Sequence, residues 1–185
     1  MRITGGELCG RTLKAPKGFC TRPTQDRVRE SIFAVLGERL RGARVVDLFA
    51  GSGSLGFEAI SRGSAECSFI EHSRPVASLI EQNAKMLGVS GRVRIIVEDA
   101  SSGRMLWSSG GPYDIVLMDP PYASGVYDSM MRILSGSDIL EPMAVVVVER
   151  DKTVVLPEEY GFLKRRRTNK YGATYVDFYQ YLTEG

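Results

Sequence analysis

From residue 44 onward, short apolar runs alternate with longer stretches in which apolar residues recur every three or four positions. Runs bounded by turn residues read as strands, and the recurrence near 3.6 reads as helix. Strands are therefore expected at Arg44–Phe49, Glu66–Glu71, Val93–Val97, Tyr113–Asp119 and Met143–Arg150. Helices are expected at Ser54–Arg62, Pro75–Leu87 and Tyr127–Leu134, the first ended by Gly63 and the second by Gly88. Strands alternating with helices predict a parallel sheet covered by helices. The continuous runs Ile115–Met118 and Ala144–Val148 predict strands buried on both faces, hence central ones.

The two ends of the chain depart from this rhythm. The first 23 residues, punctuated by Gly5, Gly6, Gly10 and Gly18, read as a short hairpin and loop. A helix is expected over Gln25–Leu40, with Thr24 as N-cap and Val28, Ile32, Val35 and Leu36 on one face. At the other end, Thr174–Leu182 alternates in the manner of a strand with one wetter face. With Phe162–Thr168 and the turn Asn169–Gly172, it predicts an antiparallel hairpin closing the sheet edge. The organisation expected is an extension over 1–43 and a main domain over 44–185.

A chain of 185 residues that is 43% hydrophobic can bury a real core, which excludes disorder and low complexity. The longest pure apolar run, Met143–Val148, is strand-sized, so no membrane span is expected. The start lacks the apolar stretch of a secretory signal, and a cytoplasmic location is expected. Cys9, Cys20 and Cys67 form no CxxC pair and have no clustered histidines, so they read as reduced thiols with no metal site.

The formal net charge of +2 hides an uneven distribution. Residues 1–44 carry ten Lys and Arg against four acids, residues 45–163 nine against sixteen, and residues 164–185 five against two. Basic ends around an acidic middle suggest an anionic polymer as partner.

Candidate chemistry falls at the ends of the predicted strands. Asp47-Leu48-Phe49-Ala50-Gly51-Ser52-Gly53 puts a glycine-rich turn between the first parallel strand and the next helix. Backbone N–H groups in such a turn can approach a nucleotide-like cofactor closely. Gly51, Gly53 and Gly56 also satisfy the dinucleotide pattern G-x-G-x-x-G, so an NAD-type cofactor is a rival. Asp47 would repel a pyrophosphate but could accept from a cationic amino acid group. Glu71 is placed for ribose hydroxyls, with His72 at the cofactor edge, and Asp99 with Ala100 for an adenine amino group.

The fourth strand ends in Asp119-Pro120-Pro121-Tyr122. Prolines fix φ and carry no N–H, so the carbonyls there are held rigidly. Asp119 and the Pro120 carbonyl could accept the two hydrogens of an amino group on a flat base, and Tyr122 could stack on its ring.

These two motifs together resemble the amino-methyltransferase branch of the S-adenosylmethionine-dependent methyltransferases. Arg2-Ile3-Thr4-Gly5-Gly6, Gly10-Arg11, Thr21-Arg22-Pro23-Thr24 and Asp26-Arg27-Val28-Arg29-Glu30 resemble one family within it, over essentially the whole chain. That family is the bacterial 16S rRNA guanine-N2 methyltransferases of the RsmD type. The resemblance implies a Rossmann-like, mostly parallel seven-stranded sheet with helices on both faces and the last strand antiparallel. It also implies S-adenosylmethionine on the first three strand ends and a guanine of small-subunit rRNA as acceptor, with an assembled ribosomal particle as substrate.

An N2 amine inside a base pair is unreachable, so the base must be single-stranded or flipped. Candidate RNA contacts are Arg11, Arg22, Thr24, Arg27 and Arg29 in the extension and Lys164, Arg165, Arg166 and Arg167 in the tail, with Tyr171 for stacking. A monomer that uses no metal is expected. Transfer to adenine N6 in DNA or to a glutamine amide are alternatives within the same chemistry. An NAD-linked oxidoreductase and a non-catalytic RNA-binding protein are rivals outside it.

Overall fold

A computed structural model of the chain describes residues 1–16, 23–103, 110–120 and 124–182, with residues 23, 24 and 124 described by their backbone alone. Strands β1 (Arg44–Asp47), β2 (Glu66–Ile70), β3 (Val93–Ile96), β4 (Tyr113–Met118) and β5 (Leu140–Asp151) run parallel. Strands β6 (Glu159–Tyr160), β7 (Leu163–Tyr171) and β8 (Thr174–Tyr181) add an antiparallel wing, giving one sheet in the order β3-β2-β1-β4-β5-β8-β7-β6. The described sheet thus has eight strands rather than seven, because β6 is a two-residue edge too short to leave a pattern in the sequence. β8 inserts between β5 and β7, so the hairpin Leu163–Tyr181 extends the sheet from the middle strand outward.

The central placement of β4 and β5 follows from their apolar runs: Val116 pairs with Val146 and Met118 with Val148, all buried. β5 begins earlier than the apolar run suggests. Its first residues, Leu140-Glu141-Pro142-Met143, include a proline and a left-handed Met143 (φ 69°), and they join the ladder through a register shift opposite Tyr113–Ile115.

Helices α1 (Pro23–Leu36), α2 (Ser54–Ser61) and α3 (Arg74–Leu87) cover one face, and α4 (Ser124–Ser135) covers the other. The stripe Ile80, Ala84 and Leu87 seats α3 on its face, and Tyr127, Met130, Met131 and Leu134 seat α4. The expected helix over Gln25–Leu40 is an α-helix to Leu36 followed by a 3₁₀ turn, Gly37–Leu40.

The extension forms the short hairpin expected, with Leu13 N donating to Met1 O (2.8 Å) and Ile3 N to Arg11 O (3.0 Å). Residues Arg2 and Thr12 make a single antiparallel bridge. Ile3 and Leu13 enter the same core as Val28, Ile32, Phe33, Val45 and Ile115, so residues 1–16 and α1 pack onto the main domain's core. A buried carboxylate fastens them. Glu58 of α2 accepts from Thr4 N (2.9 Å), Thr4 Oγ1 (2.7 Å) and Arg62 Nε (2.8 Å), and lies 3.4 Å from Arg29 Nε.

Parallel strands present their carboxyl ends along one rim, and the strand order reverses between β1 and β4. A crevice at such a reversal is where open α/β sheets bind ligands.

Candidate active site at the strand ends

The glycine turn follows β1. Gly51 (φ 52°) and Gly53 (φ 80°) adopt left-handed backbone, which side chains disfavour. Gly56 is needed for another reason: a Cβ there would stand 2.3 Å from Phe69 Cε1 and 2.7 Å from Cys67 Sγ, so α2 packs directly onto β2. Asp47 is buried behind the turn, and its Oδ2 accepts from Gly56 N in the first turn of α2 (3.1 Å). A carboxylate therefore already occupies the helix terminus where a pyrophosphate would need to bind. This arrangement disfavours the dinucleotide reading of G-x-G-x-x-G. Burial pushes the Asp47 carboxyl up to about 7, and Asp119 and Glu71 add to the rise against hydrogen bonds from Gly56 and Phe49.

A cleft of about 790 Å³ opens above this turn, within the usual range for small-molecule sites. Of the residues expected to hold a cofactor, Phe49, Ala50, Gly51, Ser52, Glu71, His72, Asp99 and Ala100 line it. Asp47 and Gly53 do not. They shape the turn from behind.

Glu71 ends β2 nearly buried, holding Gly51 N (3.0 Å) and Ser73 N (2.7 Å) on separate oxygens. Oε1 also lies 3.2 Å from His72 Nδ1, and Oε2 keeps a lone pair for a further donor. Asp99 accepts from Ser101 N (2.9 Å) and Ser101 Oγ (2.7 Å), and these hydrogen bonds hold its carboxyl below the usual carboxylate range. Beside it, Glu98 also lines the cleft, and its buried Oε2 has no hydrogen-bond partner among the described residues. The wall thus presents ionised or unpaired acceptors where a ribose diol and a base amine would offer donors. The residues fit an adenosyl group and reject a phosphate.

Asp119 and Pro120 line the same cleft from the end of β4. The glycine turn and the first half of the double-proline turn therefore share one cavity. Pro121 and Tyr122 lie outside the described residues. The Asp119 side chain is exposed to the cleft, and desolvation by the surrounding protein raises its carboxyl above the ordinary range. Glu149 of β5 lines the cleft as well, half-buried, and its carboxyl is raised by burial and by the charge of Asp119, with Arg29 opposing. Among the described residues, no group of three or more His, Cys, Asp or Glu is placed to hold a metal.

Several expected RNA contacts are engaged inside the protein instead. Arg29 is buried, donating from Nη2 to Arg2 O (2.7 Å) and Asp26 Oδ1 (2.8 Å), so it is a cleft-wall strut and not a phosphate contact. Arg165 is tied to Glu158, to Leu156 O (3.2 Å) and to Asp177 (3.6 Å), and lies against the Tyr179 ring. Tyr171 is partly buried. It packs against the core and its hydroxyl bonds Ser31 and Asn169, fastening α1 to the β7–β8 hairpin. Lys164 lies 3.2 Å from Glu159. Arg11, Arg27, Arg166 and Arg167 remain exposed. Arg22 and the Thr24 side chain lie outside the described residues, as does Cys20; Cys9 and Cys67 are free thiols.

The fold and this site define the chain's class: it is an S-adenosylmethionine-dependent methyltransferase. The family model described as "Conserved hypothetical protein 95" matches residues 1–180, and the chain belongs to that family. It is 37% identical over 157 residues to Ribosomal RNA small subunit methyltransferase D of Escherichia coli (strain K12), covering 85% of this chain and 78% of that one. To the protein of the same name from Haemophilus influenzae it is 33% identical over 171 residues, 91% and 89% of the two chains. A solved structure from Escherichia coli superposes with a TM-score of 0.86 at 33% identity, covering 100% of this chain and 99% of that one.

Proposed function

We propose that the chain methylates the exocyclic N2 amine of a guanine in 16S rRNA, in the cytoplasm, on a small ribosomal particle and as a monomer. The relatives named rRNA small subunit methyltransferase D support the substrate class. The observation that carries the reading is the shared cleft: Gly51 on the cofactor side and Asp119 with Pro120 on the acceptor side line one cavity.

S-adenosylmethionine, when bound, supplies a methyl group on a positively charged sulfur. Glu71 would hold the ribose, the turn Phe49–Ser52 the amino acid end, and Glu98, Asp99 and Ala100 the adenine. The chain's own task is to make a poor nucleophile attack. The N2 lone pair is delocalised into the guanine ring, and acceptors at Asp119 and Pro120 that draw on both amino hydrogens return it to the nitrogen. Once the nitrogen–carbon bond forms, the amine must lose a proton. A carboxyl raised by desolvation is the better acceptor for it, because its basicity lies closer to neutrality. Catalysis is then positioning and electrostatics.

The test is labelled-methyl incorporation into small ribosomal subunits from cells lacking the enzyme, followed by nucleoside analysis. N2-methylguanosine supports the reading. N6-methyladenosine, or label in protein, overturns it.

A further inference from the structure

The acceptor side of the cleft holds a carboxylate that this mechanism leaves unused. Val148 pairs with Met118 across β4 and β5, so Glu149 leaves its strand beside Asp119, one step beyond the last paired residues. Both side chains stand on the sheet face covered by α1, and both line the cleft. Two carboxylates side by side on one cleft wall repel each other, and desolvation raises both above the ordinary carboxylate range. The cation nearest them in charge, Arg29, has its Nη2 committed to Asp26 and Arg2. Such a pair is relieved by a ligand edge that brings several N–H donors together.

Guanine has that edge. Its 2-amino group carries two N–H bonds, and the adjacent ring N1 carries a third. Adenine offers an amino group next to a ring nitrogen with a lone pair, which a carboxylate would repel. The target nitrogen needs only Asp119 and Pro120, so the neighbouring carboxylate is positioned for the ring N–H.

We propose that Glu149 is the base-selecting residue, its carboxylate accepting the N1–H of the guanine whose amine Asp119 holds. This assignment rests on the guanine-N2 reading above. It makes Glu149 a specificity-determining residue that reads the ring and takes no part in bond making. A site built to hydrogen-bond one ring N–H penalises a base lacking it, because the buried acceptor is left without its donor.

The experiment uses 2-aminopurine, which keeps the 2-amino group but has a lone pair at N1. The acceptor guanine is first mapped by its methyl mark, then replaced by 2-aminopurine through splinted ligation, and small subunits are reconstituted with either rRNA. Wild type should prefer guanine over 2-aminopurine by about 100-fold or more in kcat/KM. Glu149→Gln keeps the shape and gains an N–H donor suited to the 2-aminopurine lone pair. It should lose about 100-fold on guanine and no more than about threefold on 2-aminopurine, with S-adenosylmethionine affinity unchanged. Glu149→Asp, which keeps the charge, should retain the guanine preference.

Equal loss on both bases, or an unchanged guanine rate in Glu149→Gln, overturns the assignment and leaves Glu149 a charge partner of Arg29. If the wild type makes no N2-methylguanosine on guanine-bearing subunits, the proposed function itself fails, and this assignment with it.

Discussion

Replacing Glu58 by alanine should cost the protein a large share of its stability, although the residue lies outside the cleft. Glu58 is fully buried and holds Thr4 by two bonds, Arg62 by one and Arg29 by close approach. Removing one partner of a buried ion pair typically costs about 3–5 kcal/mol, since the remaining charges stay desolvated. Arg62 is partly exposed and can turn to water, which favours the lower half of that range. The unpaired Thr4 N–H adds about 1 kcal/mol. A total near 4 kcal/mol corresponds to a Tm drop of roughly 8–16 °C at this chain length. Glu58→Gln, which keeps an acceptor oxygen, should lose about half as much. Urea unfolding reads the effect as a lower midpoint at unchanged slope. A Glu58→Ala loss below about 1 kcal/mol would refute the claim that this carboxylate locks the extension to the core.

Asp119→Ala should reduce methyl transfer by roughly a hundredfold or more while leaving S-adenosylmethionine binding intact. In the wild type, transfer should fall as pH drops through a value above the ordinary carboxylate range near 4, because the raised carboxyl must be ionised to take the proton. Asp47 is raised to about 7 in the folded protein, so the folded state holds its proton more tightly than the unfolded chain does. The stability it contributes is present below about pH 4 and is lost as pH rises through 7. Asp47→Asn, which keeps the Gly56 bond, should flatten that pH dependence and gain about 2–4 kcal/mol at pH 8 by thermal or urea melts. Neutralising Arg166 and Arg167 should flatten the salt dependence of rRNA binding by about 0.7 per lost phosphate contact, measured by filter binding. Arg165→Gln should lower the melting temperature and leave that slope unchanged, because its charge is spent on Glu158 and Asp177.

Much of the acid rim was legible because its acids stand at or just after the end of an apolar run. Glu71, Asp99 and Asp119 all reach the cleft. Glu149 ends the apolar run Ala144–Val148 in the same way, yet nothing around it in the chain resembles a motif, and only the pairing of β5 with β4 shows it to be Asp119's neighbour. The pattern of an acid after a buried strand would have found it. Glu98 was hidden beside Asp99, since alternation along a strand end does not say which of two adjacent acids turns inward.

The basic clusters were harder to read for a different reason. Charge along a sequence does not show which cations meet acids from distant elements. Arg29 meets Glu58 of α2, and Arg165 meets Asp177 across the β7–β8 ladder, so both left the expected RNA footprint. Ser31 of α1 claims the Tyr171 hydroxyl, a contact 140 residues apart in sequence.

A crystal structure with S-adenosylhomocysteine bound would test the central geometry most directly. The ribose should sit on Glu71, the amino acid end over Phe49–Ser52, and the sulfur should face Asp119 across the cleft. A sulfur turned away from Asp119, or a ribose bound away from Glu71, would contradict the account.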